Sequence, residues 1–525
     1  MSLDSLAPAL LVGACIVLVS ILGVRFAGRL GVPGLLLYLG LGLLLGTTVD
    51  ALSFQDAELA AVLGYVALIL ILAQGGLTTR VEELRPVLWP ALALASVGVL
   101  VSIAVVTIPL LLFTGMSTHN ALLLATVLAA TDAAAVFSVL RKLNLPARLR
   151  TLLEAEAGFN DAPVVVLVSV VASGAFGDDP WWLIAIRILV ELIGGAAVGI
   201  AGGYAARWLL PRLALPAVGL YPIAAMALVV VAFGAASVLH VSGFMAVYVS
   251  AVLIGSALRI PHRRSIIGFA DGLAWISEIG LFVMLGLLAD VHRLPSVIGI
   301  AVVAGLALVL LARPLASFVA LTPFRWPWRE RVFVGIAGLR GAVPIVFAAI
   351  PLGLGLAGAS QVFDATLIVV LVLLMVQTPF LPALARRLGL VQAGATDELD
   401  VESAPLDRMS AVVLALDVRR GSGLVGVYIS ELGLPPGSVV SLVIRDGQPL
   451  AIDEHTRFRA DDSLLVVCPG ERRIATEERL RRVAKDGPMA TWIEERLPER
   501  RVEPSPASWP RQALTWVSGR VARDR

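Results

Sequence analysis

Residues Glu154–Val168 read EAEAGFNDAPVVVLV, with three carboxylates and an amide inside eight residues and an unbroken apolar run behind them. Ionisable side chains are rare in apolar segments of membrane-spanning length. They mark ion and proton pathways because an uncompensated charge there costs about 3 kcal/mol or more. At 100° per residue, Glu156 and Asn160 fall on one helical face, and Glu154, Ala157 and Asp161 on another. Pro163 has no N–H for the carbonyl of Phe159, so the turn beside Asp161 is loosened and presents a polar carbonyl next to an acid. Glu154 and Glu156 can also be read as acids that end a helix at a membrane surface, where the helix N-terminus favours them. Asp161 lies about two turns further in, with apolar residues behind it, and does not fit that reading.

Three other places carry polar groups inside apolar runs. ALLLATVLAATDAAAVFSVL holds Thr131 and Asp132 near its middle. LVLLARPLASFVAL holds Arg313, which either lies inside a span or extends its charge to the cytoplasmic interface. GIAGLRGAVPIVFAAI holds Arg340 among Gly335, Gly338, Gly341 and Pro344, a composition that predicts a helix broken at mid-membrane. Broken helices expose terminal dipoles and carbonyls to a midplane site, as in secondary transporters built from inverted repeats. The Thr131–Asp132 segment is the expected pseudo-symmetric partner, with Asp132 against the positive end of a half-helix and Arg340 against a negative one.

The elements that must hold these groups follow from composition. Of 525 residues, 58% are hydrophobic and only 15% charged, and the mean hydropathy is +0.90. Soluble chains are about a quarter charged, so this is a polytopic membrane protein. Charged and Pro/Gly punctuation cuts residues 1–390 into about 13 apolar segments, among them 6–24, 32–48, 120–140, 153–176, 242–258, 271–289, 296–320 and 332–355. Odd connections carry Arg25/Arg29, Arg80/Arg85, Arg141/Lys142/Arg148/Arg150, Arg207/Arg212, Arg259/Arg263/Arg264, Arg325/Arg329/Arg331 and Arg386/Arg387. Even connections carry acids or a lone Arg293. This alternation predicts an N-terminus outside and a cytoplasmic C-terminus. The expected fold is an all-α polytopic bundle with inverted repeats and two broken, crossing helices.

After Leu390 a polar, acidic linker (391–404) leads to residues 405–480, where AVVLALDV, VVSLVIRD, QPLAI and DSLLVVCPG read as strands and EERLRRVA as a helix, a small α+β cytoplasmic domain. Residues 481–525 read as a basic tail, disordered or weakly amphipathic. Cys15 and Cys468 give neither a disulfide framework nor metal-ligand spacing, and His119, His240, His262, His292 and His455 are scattered over predicted loops. No phosphate-binding GxxxxGK[ST] loop, no GxGxxG joining a strand to a helix and no GxSxG elbow occurs. The chain is therefore expected to be no enzyme, to need no cofactor and to bind no nucleic acid.

ATDAAAVFSVL, EAEAGFNDAPVVV, ARPLASF and GLRGAVP resemble, in order and spacing, the motifs of the NhaP-type cation:proton antiporters, over about 390 residues. VYISELGLPPGSVVSLVIRDGQPLAIDEHTRFRADDSLLVVCPGE resembles an RCK C-terminal (TrkA-C) domain, and the combination resembles the potassium/proton branch. The resemblance implies that Asp161 binds cation and proton in turn with Asn160 beside it, that Thr131 and Asp132 line one helix break and Arg340 the other, and that Glu156 pairs with Arg313 as a scaffold. It implies exchange of K+, or alternatively Na+ or Li+, for H+, a homodimer in the cell membrane, and a nucleotide or cyclic dinucleotide as a regulator of the C-terminal domain; because the Asn160–Asp161 pair holds one acid, which one cation or one proton neutralises, the exchange is expected to be 1:1 and electroneutral. Many members of that family carry Ser where this chain has Ala157, so one hydroxyl ligand is missing. A cation channel or a membrane ion sensor is the distant alternative; the chain lacks the TVGYG filter of potassium channels.

Overall fold

The computed structural model describes residues 3–30, 34–48, 56–132, 145–174, 180–257, 260–391, 401–406, 411–419, 421–445, 448–450, 452–453 and 455–487. The second half of the 120–140 segment, Arg141, Lys142, Arg259 and the tail beyond 487 lie outside the described residues. The chain divides into two units, Met1–Gln392 and Ala393–Arg525.

The first unit is helical. Its elements are α1 (Leu3–Leu30), α2 (Gly34–Thr48), α3 (Ala57–Thr78), α4 (Leu88–Phe113), α5 (Thr118–Ala129), α6 (Ala147–Ala172) and α7 (Trp181–Leu209). They continue with α8 (Leu220–Val238), α9 (Gly243–Gly255), α10 (Arg263–Leu288), α11 (Leu294–Phe324), α12 (Trp328–Ala337), α13 (Ala342–Gly353) and α14 (Ala359–Arg387). Among the described residues, eight helices are long and apolar enough to cross a membrane, or nine when α12 and α13 count as one span. The segments expected at 6–24, 32–48, 120–140 and 242–258 hold shorter apolar helices, so thirteen crossings is more than length and composition establish.

Burial ranks the helices. In α6, 94% of the apolar window is inside the bundle, against 17% in α7. A helix surrounded by protein cannot turn polar side chains to lipid, so the acids of α6 must be satisfied internally or held for a ligand. Close packing elsewhere depends on small residues: a Cβ on Gly42 of α2 would strike the Val283 carbonyl of α10, and one on Gly286 would strike Leu39. α11 carries a π turn at Ala307–Ala312, immediately before Arg313 and Pro314. That wider turn accommodates the N–H that Pro314 lacks.

The second unit holds a five-stranded antiparallel sheet in the order β1-β2-β5-β3-β4. The strands are β1 (Val401–Leu406), β2 (Ala411–Asp417), β3 (Val439–Arg445), β4 (Gln448–Leu450) and β5 (Ser463–Pro469), followed by α15 (Arg473–Asp486). In β5, Leu464, Val466 and Cys468 are buried and alternate with partly exposed neighbours, the period-2 pattern of a strand with one covered face. β1 crosses the expected boundary between linker and domain at 404/405. It was legible only as linker because Glu402 and Pro405 depress strand propensity, and an edge strand tolerates them. α15 runs to Asp486, past the expected start of the tail at 481.

Asp462 is the polar anchor of this unit. Burial works against its charge. However, two hydrogen bonds from Arg445, each 2.8 Å, and one from the Arg459 N–H at 2.7 Å outweigh that effect and hold its carboxyl below the usual carboxylate range. A depressed folded-state pKa stabilises above the unfolded value of about 3.9 and is lost as pH falls through the folded one. Asp462→Asn is therefore expected to lower the thermal midpoint of this domain at pH 7, through a loss of about 1.5–3 kcal/mol of stability. In melts of paired samples, the gap from wild type should close as pH is taken below 4.

Candidate functional site

Three elements meet at the centre of the bundle. α5 ends at Ala129, and Ala130 turns extended (φ −62°, ψ 141°) to carry Thr131 and Asp132 away from the helix axis. α12 ends at Ala337 and α13 begins at Ala342, bent by 48° across Gly338–Gly341. α6 passes beside both breaks, with Glu156, Asn160 and Asp161 all buried.

The two breaks are joined reciprocally. The Asp132 N–H donates to the Leu339 carbonyl (3.1 Å), and Asp132 Oδ2 accepts from the Ala342 N–H (2.8 Å), the first donor of α13. Arg340 Nε donates to the Leu128 carbonyl (2.8 Å) in the last turn of α5, and its Nη1 donates to the Gly338 carbonyl (2.9 Å). Each broken helix thus offers its free end to the charge of the other: a negative side chain at an N-terminus, a positive one at a C-terminus. Arg340 is 0% exposed; two helix-end carbonyls accept from its guanidinium, while Nη2 has no partner among the described residues.

Arg313 is buried as well, which removes the interface reading of its position. Its Nη1 lies 2.6 Å from Glu156 Oε1, and its Nη2 donates to the Val334 carbonyl at 3.3 Å. Gln377 of α14 donates to the Ile336 carbonyl at 3.4 Å. The last carbonyls of α12 are therefore taken by Arg313, Gln377 and Arg340. Gly338 and Gly341 make room for this: a Cβ on Gly338 would collide with the Arg313 guanidinium, and one on Gly341 with the Asp132 carboxylate. Gly341→Ala is expected to push Asp132 off the Ala342 N–H and abolish transport. A folded variant that transports at the wild-type rate would refute this arrangement.

Asn160 Nδ2 donates to Thr131 Oγ1, which ties α6 to the first break. Asn160 Oδ1 and Asp161 Oδ1 are buried acceptors without a hydrogen-bond partner among the described residues. Asp161 is 2% exposed. Two orphaned oxygens on adjacent residues, with a hydroxyl and a second carboxylate close by, form a donor set suited to a hard monovalent cation or a proton. Ala157, one turn before Asp161, is buried and adds no oxygen. A cavity of about 760 Å³ bordered by Tyr65, Val165, Ser169, Arg187, Phe233 and Phe244 begins one turn beyond Asp161 along α6 and does not include it.

Sequence reading passed over several buried polar groups: Glu278 of α10, Gln377, and Asp364 of α14, whose Oδ2 accepts from Arg293 Nε at 3.0 Å. It also missed the 2.6 Å hydrogen bond from Gln74 of α3 to Asp271 of α10. Glu278 sits in DGLAWISEIGLFVML, an acid inside an apolar run, so the criterion applied to Asp161 would have found it.

A buried carboxylate beside the bent α12–α13 pair and the extended end of α5, with charged side chains set against the helix ends, is the arrangement of a secondary ion transporter. Residues 15–387 match the family described as "Sodium/hydrogen exchanger, transmembrane", and residues 413–481 match "TrkA-C domain". The chain is 32% identical over 472 residues to the K(+)/H(+) antiporter NhaP of Alkalimonas amylolytica, covering 87% of this chain and 81% of that one. It is 32% identical over 481 residues to the K(+)/H(+) antiporter NhaP2 of Shewanella sp. (strain MR-4), covering 89% and 82%. The sodium proton antiporter MjNhaP1 of Methanocaldococcus jannaschii has the same fold, with a TM-score of 0.64 at 21% identity over 73% of this chain and 99% of that one. The protein belongs to the sodium/hydrogen exchanger family and is a multi-pass membrane cation:proton antiporter.

Proposed function

We propose that the protein exchanges K+ for H+ across the cell membrane, with cation and proton held in turn at Asp161. The observation that carries this reading is the pair of buried, unpartnered oxygens on Asn160 and Asp161. The neighbouring charges are already compensated: Glu156 by Arg313, Arg340 by helix-end carbonyls, and Asp132 by the N-terminus of α13. Asp161 then contributes a site of charge −1 that either one monovalent cation or one proton neutralises. Thr131 and Asp132 complete the cation's surroundings, and Glu156, Arg313 and Arg340 hold the breaks in place. A 1:1 exchange moves no net charge, so it escapes the roughly 2.3 kcal/mol per elementary charge that 100 mV imposes.

K+ is favoured as the cation by the potassium/proton relatives and by the TrkA-C domain that accompanies the transporter. Na+ is the second reading, supported by a 27% identity over 362 residues to the Na(+)/H(+) antiporter ApNhaP of Aphanothece halophytica. The arginine alternation supports a cytoplasmic C-terminal domain and an outside N-terminus. We assign the protein as a homodimer in the membrane, with a nucleotide or cyclic dinucleotide acting on residues 405–480. The test is a pH gradient across liposomes carrying the protein, challenged separately with K+, Na+ and Li+. Dissipation by K+ alone, at a rate independent of clamped potential, supports the reading. Equal response to Na+ replaces K+ selectivity with the second reading, and a potential-dependent rate contradicts 1:1 exchange.

A further inference from the structure

At 100° per residue, Glu154, Gly158, Asp161, Val165 and Ser169 share one face of α6. The two directions along that face from Asp161 are unlike. Toward the C-terminal end of the helix, Val165 and Ser169 line the cavity of about 760 Å³, which begins about 6 Å of helix rise beyond Asp161. Ser169, Ser173 and Ser237 border it, so it is roomy and polar enough to hold water. Toward the N-terminal end, which carries Arg148 and Arg150, the way is shut by an aromatic ring. Tyr248 of α9 is 2% exposed, and a Cβ on Gly158 would lie 2.5 Å from its Cε2, so the ring rests directly on the α6 backbone. Phe159 meets the same ring edge-on, with centroids 5.0 Å apart and planes at 73°. α3 braces α9 from behind, where a Cβ on Gly76 would lie 2.9 Å from the Tyr248 carbonyl. Past the ring, polar groups resume: Thr79 and Glu154 lie beside the Tyr248 hydroxyl. The Tyr248 ring thus stands between Asp161 and the next acid on its own face, and it can lie there because residue 158 has no side chain. The contact of ring with glycine consists of dispersion alone, many small terms that a sliding helix can exchange for others.

We propose that Tyr248 is the gate on the arginine-bearing side of the cation site. Seated on Gly158, it closes Asp161 from that side while the cavity serves the other, and it leaves Gly158 when Asp161 changes sides. The proposal rests on the antiport reading. The ring does the closing, so the hydroxyl is dispensable and the bulk is not. Without the ring, the two sides are no longer separated at Asp161, and cations pass without a proton in return.

The experiment uses liposomes loaded with K+ and placed in choline medium at equal pH, with a voltage-sensitive dye as the readout. A 1:1 exchanger builds no potential from a K+ gradient, whereas an uncoupled leak builds one that is negative inside. Tyr248→Ala is expected to build that potential at least tenfold faster than wild type. Tyr248→Phe is expected to exchange K+ for H+ with no leak. Tyr248→Leu, which keeps apolar bulk without the planar ring, is expected to fall between, and it carries the test alone if the Ala variant does not fold. A folded Ala or Leu variant with no more leak than wild type overturns the gate, whether its exchange is normal, slowed or lost. A leak in Tyr248→Phe as large as in Tyr248→Ala overturns it as well. A wild type that exchanges none of K+, Na+ or Li+ for protons defeats the antiport reading itself, a result distinguishable from a normal wild type with leak-free Tyr248 variants.

Discussion

Asp161→Asn is expected to reduce exchange to the level of empty liposomes while leaving the protein folded and monodisperse. The substitution keeps the shape of the side chain and removes its charge, so the site can no longer be neutralised by a cation or a proton. Asp161 makes no structural hydrogen bond through Oδ1, and a neutral amide in its place relieves a buried charge instead of stranding one. Stability at or above wild type together with lost transport is therefore the signature of a ligand-holding residue. If the variant unfolded, Asp161 would be a structural group, and the assignment would be wrong.

The second large effect is at the scaffold. Glu156→Ala leaves the Arg313 guanidinium buried with only the Val334 carbonyl, among the described residues, to accept from it. Breaking one side of a buried pair costs about 3–5 kcal/mol, a large part of the stability of most domains. The expected result is a lower unfolding midpoint and poor yield in detergent. Replacing both partners, as Glu156→Leu with Arg313→Met, should recover most of the lost stability, because two apolar groups of similar volume leave no charge behind. Equal loss in the single and double variants would mean that the pair does more than balance charge.

These two effects separate what the sequence makes legible from what it does not. The break at Gly338–Gly341 was readable because three glycines and Pro344 are incompatible with a continuous helix at that depth. The acids of α6 were readable because apolar residues surround them on both sides. What the sequence could not supply was the crosswise arrangement: Asp132 at the N-terminus of α13 and Arg340 at the C-terminus of α5 are bonds between residues more than 200 positions apart. Nor could it choose between an interfacial and an interior Arg313, because a long side chain permits both and only the placement of Glu156 decides. Glu278 meets the same criterion, an acid flanked by apolar residues, but the two acids of α10, Asp271 and Glu278, stand seven residues apart with no proline to mark a break. In the second unit, β2, β3, β5 and α15 followed from alternation and length, whereas β1 resembled linker because edge strands carry the polar and proline residues that central strands exclude.

The central claim is that a cation and a proton compete for Asp161. It is tested most directly by adding K+ to the purified protein in weakly buffered solution and measuring protons released per cation bound. The account predicts about one proton per K+ for the wild type and none for Asp161→Asn, with K+ affinity falling as the starting pH is lowered. Saturable K+ binding without proton release, or the same release from Asp161→Asn, would contradict it.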